Sequence, residues 1–263
     1  MPKLDSTGYT ALFATAVSVV CALLVSVSAV LLQPRQEANQ RLYIEKNVLL
    51  AAGLVRPGED VTEAEVRKLF DEQIEMRLVD FAAGALLPVD KLDPHSYDQR
   101  KARKDEALSS PAPANRAGVQ RLPKYGVVYF VKEGEDVKQV VVAIEGLGMW
   151  GTIYGFLALD RDANSVLGLT YYEQKETPGL GGEIANPKWQ ALWRGRRVYD
   201  ESWEPRITVI KGNAGPPDKD PLRVDGLSGA TVTSNAVNYL MAFWMSDDAY
   251  GRFLRAFREG AKT

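Results

Sequence analysis

The chain has 263 residues, 46% of them hydrophobic and 25% charged, which is a globular composition with enough length for one sizeable core and an appendage. A formal net charge of -2 supplies no basic field to gather phosphate backbones, so a nucleic-acid partner is not expected. The single cysteine, Cys21, lies in an apolar run, and the single histidine, His95, sits between Pro94 and Ser96 as an exposed loop residue; no disulfide, metal site, iron–sulfur ligand set or histidine triad is expected from them.

After a short tail, residues 1–8, the stretch from Tyr9 to Leu32 carries no charge and is dominated by Ala, Val and Leu. At about 1.5 Å per residue it can cross a ~30 Å hydrocarbon core, so residues 9–32 read as a transmembrane anchor in a lipid bilayer. Ser26, Ser28 and Ala29 resemble a signal-peptide cleavage site, but a signal h-region spans about 7–15 residues and this run is longer. Lys3 and the α-amino group on one side, against Arg35, Arg41 and Lys46 on the other, leave sidedness undecided by charge.

Residues 33–118 read as a helical arm and linker. Leu42, Ile44, Val48, Leu49 and Ala52 have helix-like spacing, which Pro57-Gly58 ends. Thr62 with Glu65 forms a capping-box pattern, and Val66, Leu69, Phe70, Ile74, Leu78 and Phe81 recur at three- and four-residue steps, predicting a second amphipathic helix through Phe81. Asp93 to Ala117 is rich in charge, Pro, Ser and Ala and predicts a loop or linker; its run Arg100-Lys101-Ala102-Arg103-Lys104 reads as a solvated face, with anionic lipid headgroups as the alternative contact.

From residue 119 to 263 the period changes to extended. Tyr125 to Val131, Lys138 to Ile144, Ile153 to Leu159, Val166 to Tyr172 and Arg206 to Ile210 are β-branched and aromatic runs, and their short connections imply mostly antiparallel pairing. Helices are expected over Ser234 to Met245 and Asp248 to Glu259, the second capped by Ser246-Asp247. The fold class is α+β: one transmembrane helix, a helical arm, and a mostly antiparallel sheet domain with C-terminal helices.

Three glycine-rich segments punctuate this domain. Gly146-Leu147-Gly148-Met149-Trp150-Gly151 matches G-x-G-x-x-G, but a strand rather than a helix follows, so a Rossmann dinucleotide site is rejected in favour of a tight turn, with Trp150 as core packing or a pocket wall. Glu176-Thr177-Pro178-Gly179-Leu180-Gly181-Gly182 reads as a surface turn or as backbone brought close to a planar ligand. Asp225-Gly226-Leu227-Ser228-Gly229-Ala230-Thr231-Val232-Thr233 ends at a helix start, where free N–H groups and the helix dipole suit a phosphate; the plain alternative makes Thr231 or Thr233 an N-cap.

Together these segments resemble the covalent FMN-binding domain family. Asp225 to Thr231 is similar to its flavinylation motif with Thr231 at the acceptor position, Glu176 to Gly181 resembles the segment beside the isoalloxazine ring, and Gly148 to Ile153 resembles the glycine–tryptophan turn. Over the whole chain the resemblance is to the C subunits of sodium-translocating NADH:quinone oxidoreductases, with the G subunits of Rnf complexes as the nearest relatives. It implies an FMN esterified through its phosphate to Thr231 by a separate flavin transferase, and a flavin domain on the periplasmic side of the bacterial inner membrane. It further implies electron transfer within a multi-subunit respiratory complex, from a membrane iron–sulfur centre to a flavin on the B subunit, with sodium translocation by the whole complex. Ser228, Gly229 and Ala230 would leave room for the transferase, Asp225 would serve attachment, Thr233 would help hold the phosphate, Leu180 and Trp150 would pack near the ring, and Glu176 or Thr177, beside Gly181, would bond to its polar edge. No catalytic residue and no metal ligand is implied. The rival readings are the G subunit of an Rnf-type ion-translocating electron transport complex, a non-redox membrane-anchored periplasmic assembly or binding module, and a soluble flavoenzyme, the last disfavoured by the anchor and the shortage of proton-transfer groups.

Overall fold

The uncharged run and the arm behind it form one unbroken helix, α1 (Thr7–Ala52), that continues through Pro34. The computed structural model describes residues 7–260; Lys3, the α-amino group and most of the short tail lie outside them. Two compact units divide the chain after Ile44. In the first, α1 is long and apolar enough to cross a membrane, its apolar window is wholly exposed, and it fits a single-pass membrane anchor. Cys21 is a free, exposed thiol on that stretch.

In the second unit, the last turns of α1 bury Val48, Leu49 and Ala51 completely. Ala51 lies so close to Gly168 that a Cβ there would strike its carbonyl, and the Thr170 hydroxyl donates to the Asn47 carbonyl at 3.4 Å. Helix α2 (Glu63–Gln73) starts on the predicted capping box: the Thr62 N–H donates to Glu65 Oε2 at 2.8 Å, and the Glu65 N–H to Thr62 Oγ1 at 3.3 Å.

That helix does not reach Phe81. It stops at Gln73, and β1 (Ile74–Asp80) pairs antiparallel with β5 (Tyr125–Glu133), from Ile74 opposite Val131 to Asp80 opposite Tyr125. Ile74 and Leu78 satisfy the helical spacing and a strand's two-residue period alike, and the ladder offered by β5 decides between them. The helical arm therefore contributes strands to the main sheet: β1 and β2 (Ala85–Leu86).

The expected linker is also packed. It holds a 3-10 turn at Pro94–Ser96, α3 (Gln99–Ala102) and β3 (Ser109–Pro111), which pairs with β4 (Arg121–Pro123). Tyr97, Ala102, Ser109 and Ala117 are buried, whereas His95 is exposed. Arg100 forks onto Glu173 at 2.8 and 2.9 Å and lies 3.5 Å over the Tyr154 ring, and Arg103 donates to Glu145 at 2.7 Å. Two cations of the basic run thus bind sheet carboxylates instead of facing solvent or lipid. Glu145 is 4% exposed, and burial raises its pKa against the opposing pull of Arg103.

β6 (Asp136–Leu147), β7 (Thr152–Asp160) and β8 (Val166–Glu173) complete a six-stranded antiparallel sheet in the order β2-β1-β5-β6-β7-β8. After the short α4 (Pro187–Gln190), the expected strand at Arg206 to Ile210 shrinks to β9 (Thr208–Val209), which pairs in parallel with β10 (Arg223–Val224) outside the main sheet.

Helix α5 (Thr231–Trp244) packs against β6 through Val237, Leu240, Met241 and Trp244, and the Trp244 indole N–H donates to the Glu145 carbonyl. Helix α6 (Gly251–Arg258) begins later than expected, because Ser246 to Tyr250 form a turn that drives the Tyr250 ring into the core, edge-on to Phe81 at 5.0 Å. Its cap is Tyr250, without a side-chain bond, rather than Ser246-Asp247.

Candidate functional site

The three glycine-rich segments, far apart in sequence, meet at one place. Residues 148–151 form the tip of the β6–β7 hairpin, closed by the Gly148 N–H donating to the Gly151 carbonyl at 2.8 Å. The turn leads into strand β7 and not into a helix, so the Rossmann reading fails on geometry as it did on sequence. At this tip Leu147, Met149 and Trp150 are 57%, 56% and 63% exposed, an unusual display of large apolar side chains on a glycine turn.

The segment after β8 folds back beside the hairpin. The N–H groups of Leu180 and Gly182 both donate to the Thr177 carbonyl, at 3.1 and 2.9 Å, which leaves Leu180 44% exposed. Glu176 turns the other way and is only 4% exposed. Its Oε1 accepts the Trp150 N–H at 3.0 Å, and its Oε2 accepts the Thr233 hydroxyl. The carboxylate expected at a flavin's polar edge is thus engaged inside the domain, while Thr177 stays at the surface.

The third segment is held from behind. Asp225 Oδ1 accepts the Ala214 N–H at 2.9 Å, and the Asp225 carbonyl accepts the Trp189 indole N–H at 3.0 Å. Gly229 takes a φ of +71°, which favours glycine, and a Cβ there would stand 3.0 Å from Leu180 Cδ2, so this loop and the Leu180 loop are in contact. Ser228 and Gly229 are exposed, and Ala230 is buried.

Helix α5 then begins at Thr231 with Ala230 as its cap and no side-chain hydrogen bond. Neither threonine is the N-cap. Thr231 is exposed in the first turn, where backbone N–H groups lack intrahelical acceptors and the dipole is positive, while Thr233 is 2% exposed. One helical step is about 100°, so two residues on, Thr233 joins the buried row of Ala236, Val237 and Leu240. Its hydroxyl, expected to help hold a phosphate, is given to Glu176 instead.

The structure therefore brings Thr231, Gly229, Leu180, Gly181, Glu176, Thr233 and Trp150 together, and sets Asp225 behind them. The sequence reading missed Leu147, Met149 and Val232, which extend the exposed apolar surface; for Leu147 and Met149 the available signal was their place beside Trp150 among the glycines of the turn. A recess of about 480 Å³ lies beside the hairpin among Arg103, Lys104, Arg121 and Leu147, but Thr231, Trp150 and Leu180 stand outside it on open surface.

Comparison with known proteins agrees with this geometry. Residues 148–246 match the family described as FMN-binding domain, an interval that holds all three segments from the hairpin tip onward. The chain is 44% identical over 247 residues to the C subunit of the Na(+)-translocating NADH-quinone reductase of Vibrio parahaemolyticus, covering 92% of each chain. It is 41% identical over 263 residues to the corresponding C subunit of Pseudomonas aeruginosa, covering 99% of each. Its fold is similar to the crystal structure of Shewanella oneidensis NqrC, with a TM-score of 0.76 and 28% identity over 84% of this chain and 99% of that one. The chain belongs to the family of Na(+)-translocating NADH-quinone reductase C subunits.

Proposed function

We propose that the chain is the membrane-anchored flavoprotein subunit of a Na(+)-translocating NADH-quinone reductase, and that it carries FMN covalently through a phosphoester to Thr231. The observation that carries the attachment is the setting of Thr231: an exposed hydroxyl in the first turn of an uncapped helix, beside exposed apolar side chains on two other loops. These residues fit FMN in both its parts. The N–H groups at the start of α5 suit the phosphate, and Trp150, Leu180 and neighbouring Met149 offer apolar faces to a planar ring. Gly229 keeps the approach open, since a side chain there would press on Leu180.

Bound FMN supplies reversible electron transfer, and the chain holds it, orients it and fixes its distance from partners. A permanent tether suits a carrier that must not lose its cofactor between turnovers. The other subunits of the complex are its partners. In this reading a flavin transferase makes the ester, α1 sits in the inner-membrane bilayer, and the domain with Thr231 lies on the periplasmic side. The exposed Ser228-Gly229 segment gives the transferase access to the threonine.

The test is coexpression of the full chain with a flavin transferase, followed by denaturing electrophoresis. The wild-type band fluoresces as flavin and the Thr231→Ala band is dark. A fluorescent Thr231→Ala band moves the attachment elsewhere, and a dark wild-type band beside a fluorescent control flavoprotein overturns the covalent reading.

A further inference from the structure

We propose that Glu176 is the positioning residue of the flavin site, clamping the Trp150 turn to the first turn of α5 from inside the domain; this rests on the assignment of Thr231 as the attachment point. One buried carboxylate serves two surface elements: Oε1 takes the backbone N–H of Trp150 at 3.0 Å, and Oε2 takes the hydroxyl of Thr233, two residues beyond Thr231. Both contacts are charge-assisted and shielded from water, which makes them stronger than ordinary surface hydrogen bonds.

The sequence around the carboxylate is shaped to admit it. A Cβ on Gly148 would stand 2.6 Å from Oε1, and a Cβ on Gly181 would strike Thr233 Oγ1 and stand 3.0 Å from Oε2. The glycines of two separate motifs are thus explained by one side chain from the second motif. The same bond accounts for the second threonine of Ala230-Thr231-Val232-Thr233: its hydroxyl is withdrawn from the surface, so of the two threonines Thr231 is the exposed one.

Trp150 and Leu180 sit on loops, and Thr231 sits on a helix end. Without the clamp the hairpin tip and α5 are joined only through the core beneath them, and the distance between the ester oxygen and the ring's apolar bed is no longer fixed. Glu176 bonds to the Trp150 backbone and to Thr233, and it acts through them.

The experiment uses the full chain in detergent and compares wild type with Glu176→Ala, Glu176→Gln, Thr233→Val, Thr233→Ser and the Glu176→Ala/Thr233→Val double variant. On the flavin-free chain, hydrogen exchange at the Trp150 amide is slow in wild type and accelerates at least tenfold in Glu176→Ala. With transferase added, Glu176→Ala and Thr233→Val lower kcat/KM for labelling at least tenfold, the double variant is no worse than the worse single, and Thr233→Ser, which keeps the hydroxyl, restores wild-type labelling. Glu176→Gln keeps a neutral acceptor and falls between. Labelling and Trp150 exchange at wild-type rates in both Glu176→Ala and Thr233→Val overturn the clamp. So does a loss of stability that leaves both unchanged. Thr233→Val preserves side-chain shape and decides the matter if Glu176→Ala fails to fold. A wild-type chain that is never labelled removes the attachment assignment, yet the exchange arm still tests the clamp.

Discussion

Gly148→Ala inserts one methyl group where the hairpin tip meets the clamp. The new Cβ would stand 2.6 Å from Glu176 Oε1 and 2.9 Å from Ile153 Cδ1, and Ile153 is wholly buried and cannot yield. The carboxylate must move, and the bond from the Trp150 N–H goes with it. Overpacking costs roughly 1–3 kcal/mol, and losing a hydrogen bond to a charged group roughly 1.5–3 kcal/mol, so about 2.5–6 kcal/mol is expected together. For a unit of this size each kcal/mol lowers Tm by about 2–4 °C, which gives a fall of about 5–24 °C. Gly134→Ala in the β5–β6 turn is the comparison: nothing lies within 4 Å of its Cβ, and only its φ of +65° is strained, at a cost of roughly 1–2 kcal/mol. Thermal melts of the full chain in detergent, followed by tryptophan fluorescence, give the ranking. A Gly148→Ala chain that melts no lower than Gly134→Ala would refute the packing argument.

Other perturbations separate the fold from the site. Trp150→Ala removes a side chain that is 63% exposed, so stability should change by no more than about 0.5 kcal/mol, while fluorescence anisotropy of the attached flavin falls; unchanged anisotropy rejects Trp150 as part of the ring's bed. Asp225→Ala should abolish labelling at Thr231 with a loss of roughly 1 kcal/mol from the Ala214 contact, and normal labelling removes Asp225 from the attachment step. Glu173 is held below the usual carboxylate range chiefly by its hydrogen bonds from Arg100, so this pair stabilises the folded state above the unfolded pKa of about 4.3 and ceases to do so as pH falls through the lowered folded value. Glu173 is about half exposed, so the pair is worth at most about 1 kcal/mol. The Tm difference between wild type and Glu173→Gln should therefore hold steady above about pH 5 and vanish toward pH 3, and a gap that persists at pH 3 contradicts it.

The strands from Tyr125 to Tyr172 were legible because alternation and β-branching follow from local sequence, and Thr62-Glu65 announced α2 because a capping box is closed within four residues. The end of α2 was not legible. Ile74 and Leu78 suit either period, and the partner that makes them a strand lies some fifty residues away in β5. Residues 93–117 looked solvated because composition cannot reveal that Arg100 and Arg103 find Glu173 and Glu145 on the sheet.

At the site the three motifs were visible, yet the direction of their side chains was not. Glu176 and Thr233 read as ligand contacts because the family resemblance sets their segments beside the flavin. Thr233 did carry a signal of burial, standing three, four and seven residues before Ala236, Val237 and Leu240, whereas nothing in the sequence pairs it with Glu176.

The central claim rests on Thr231, and the mass of the tryptic peptide that contains it tests that claim most directly. From the full chain coexpressed with a flavin transferase, the peptide should carry the added mass of an FMN phosphoester, lost in Thr231→Ala. An unmodified peptide, in cells that flavinylate a control protein, would contradict the account and leave Thr231 an exposed residue at the start of α5.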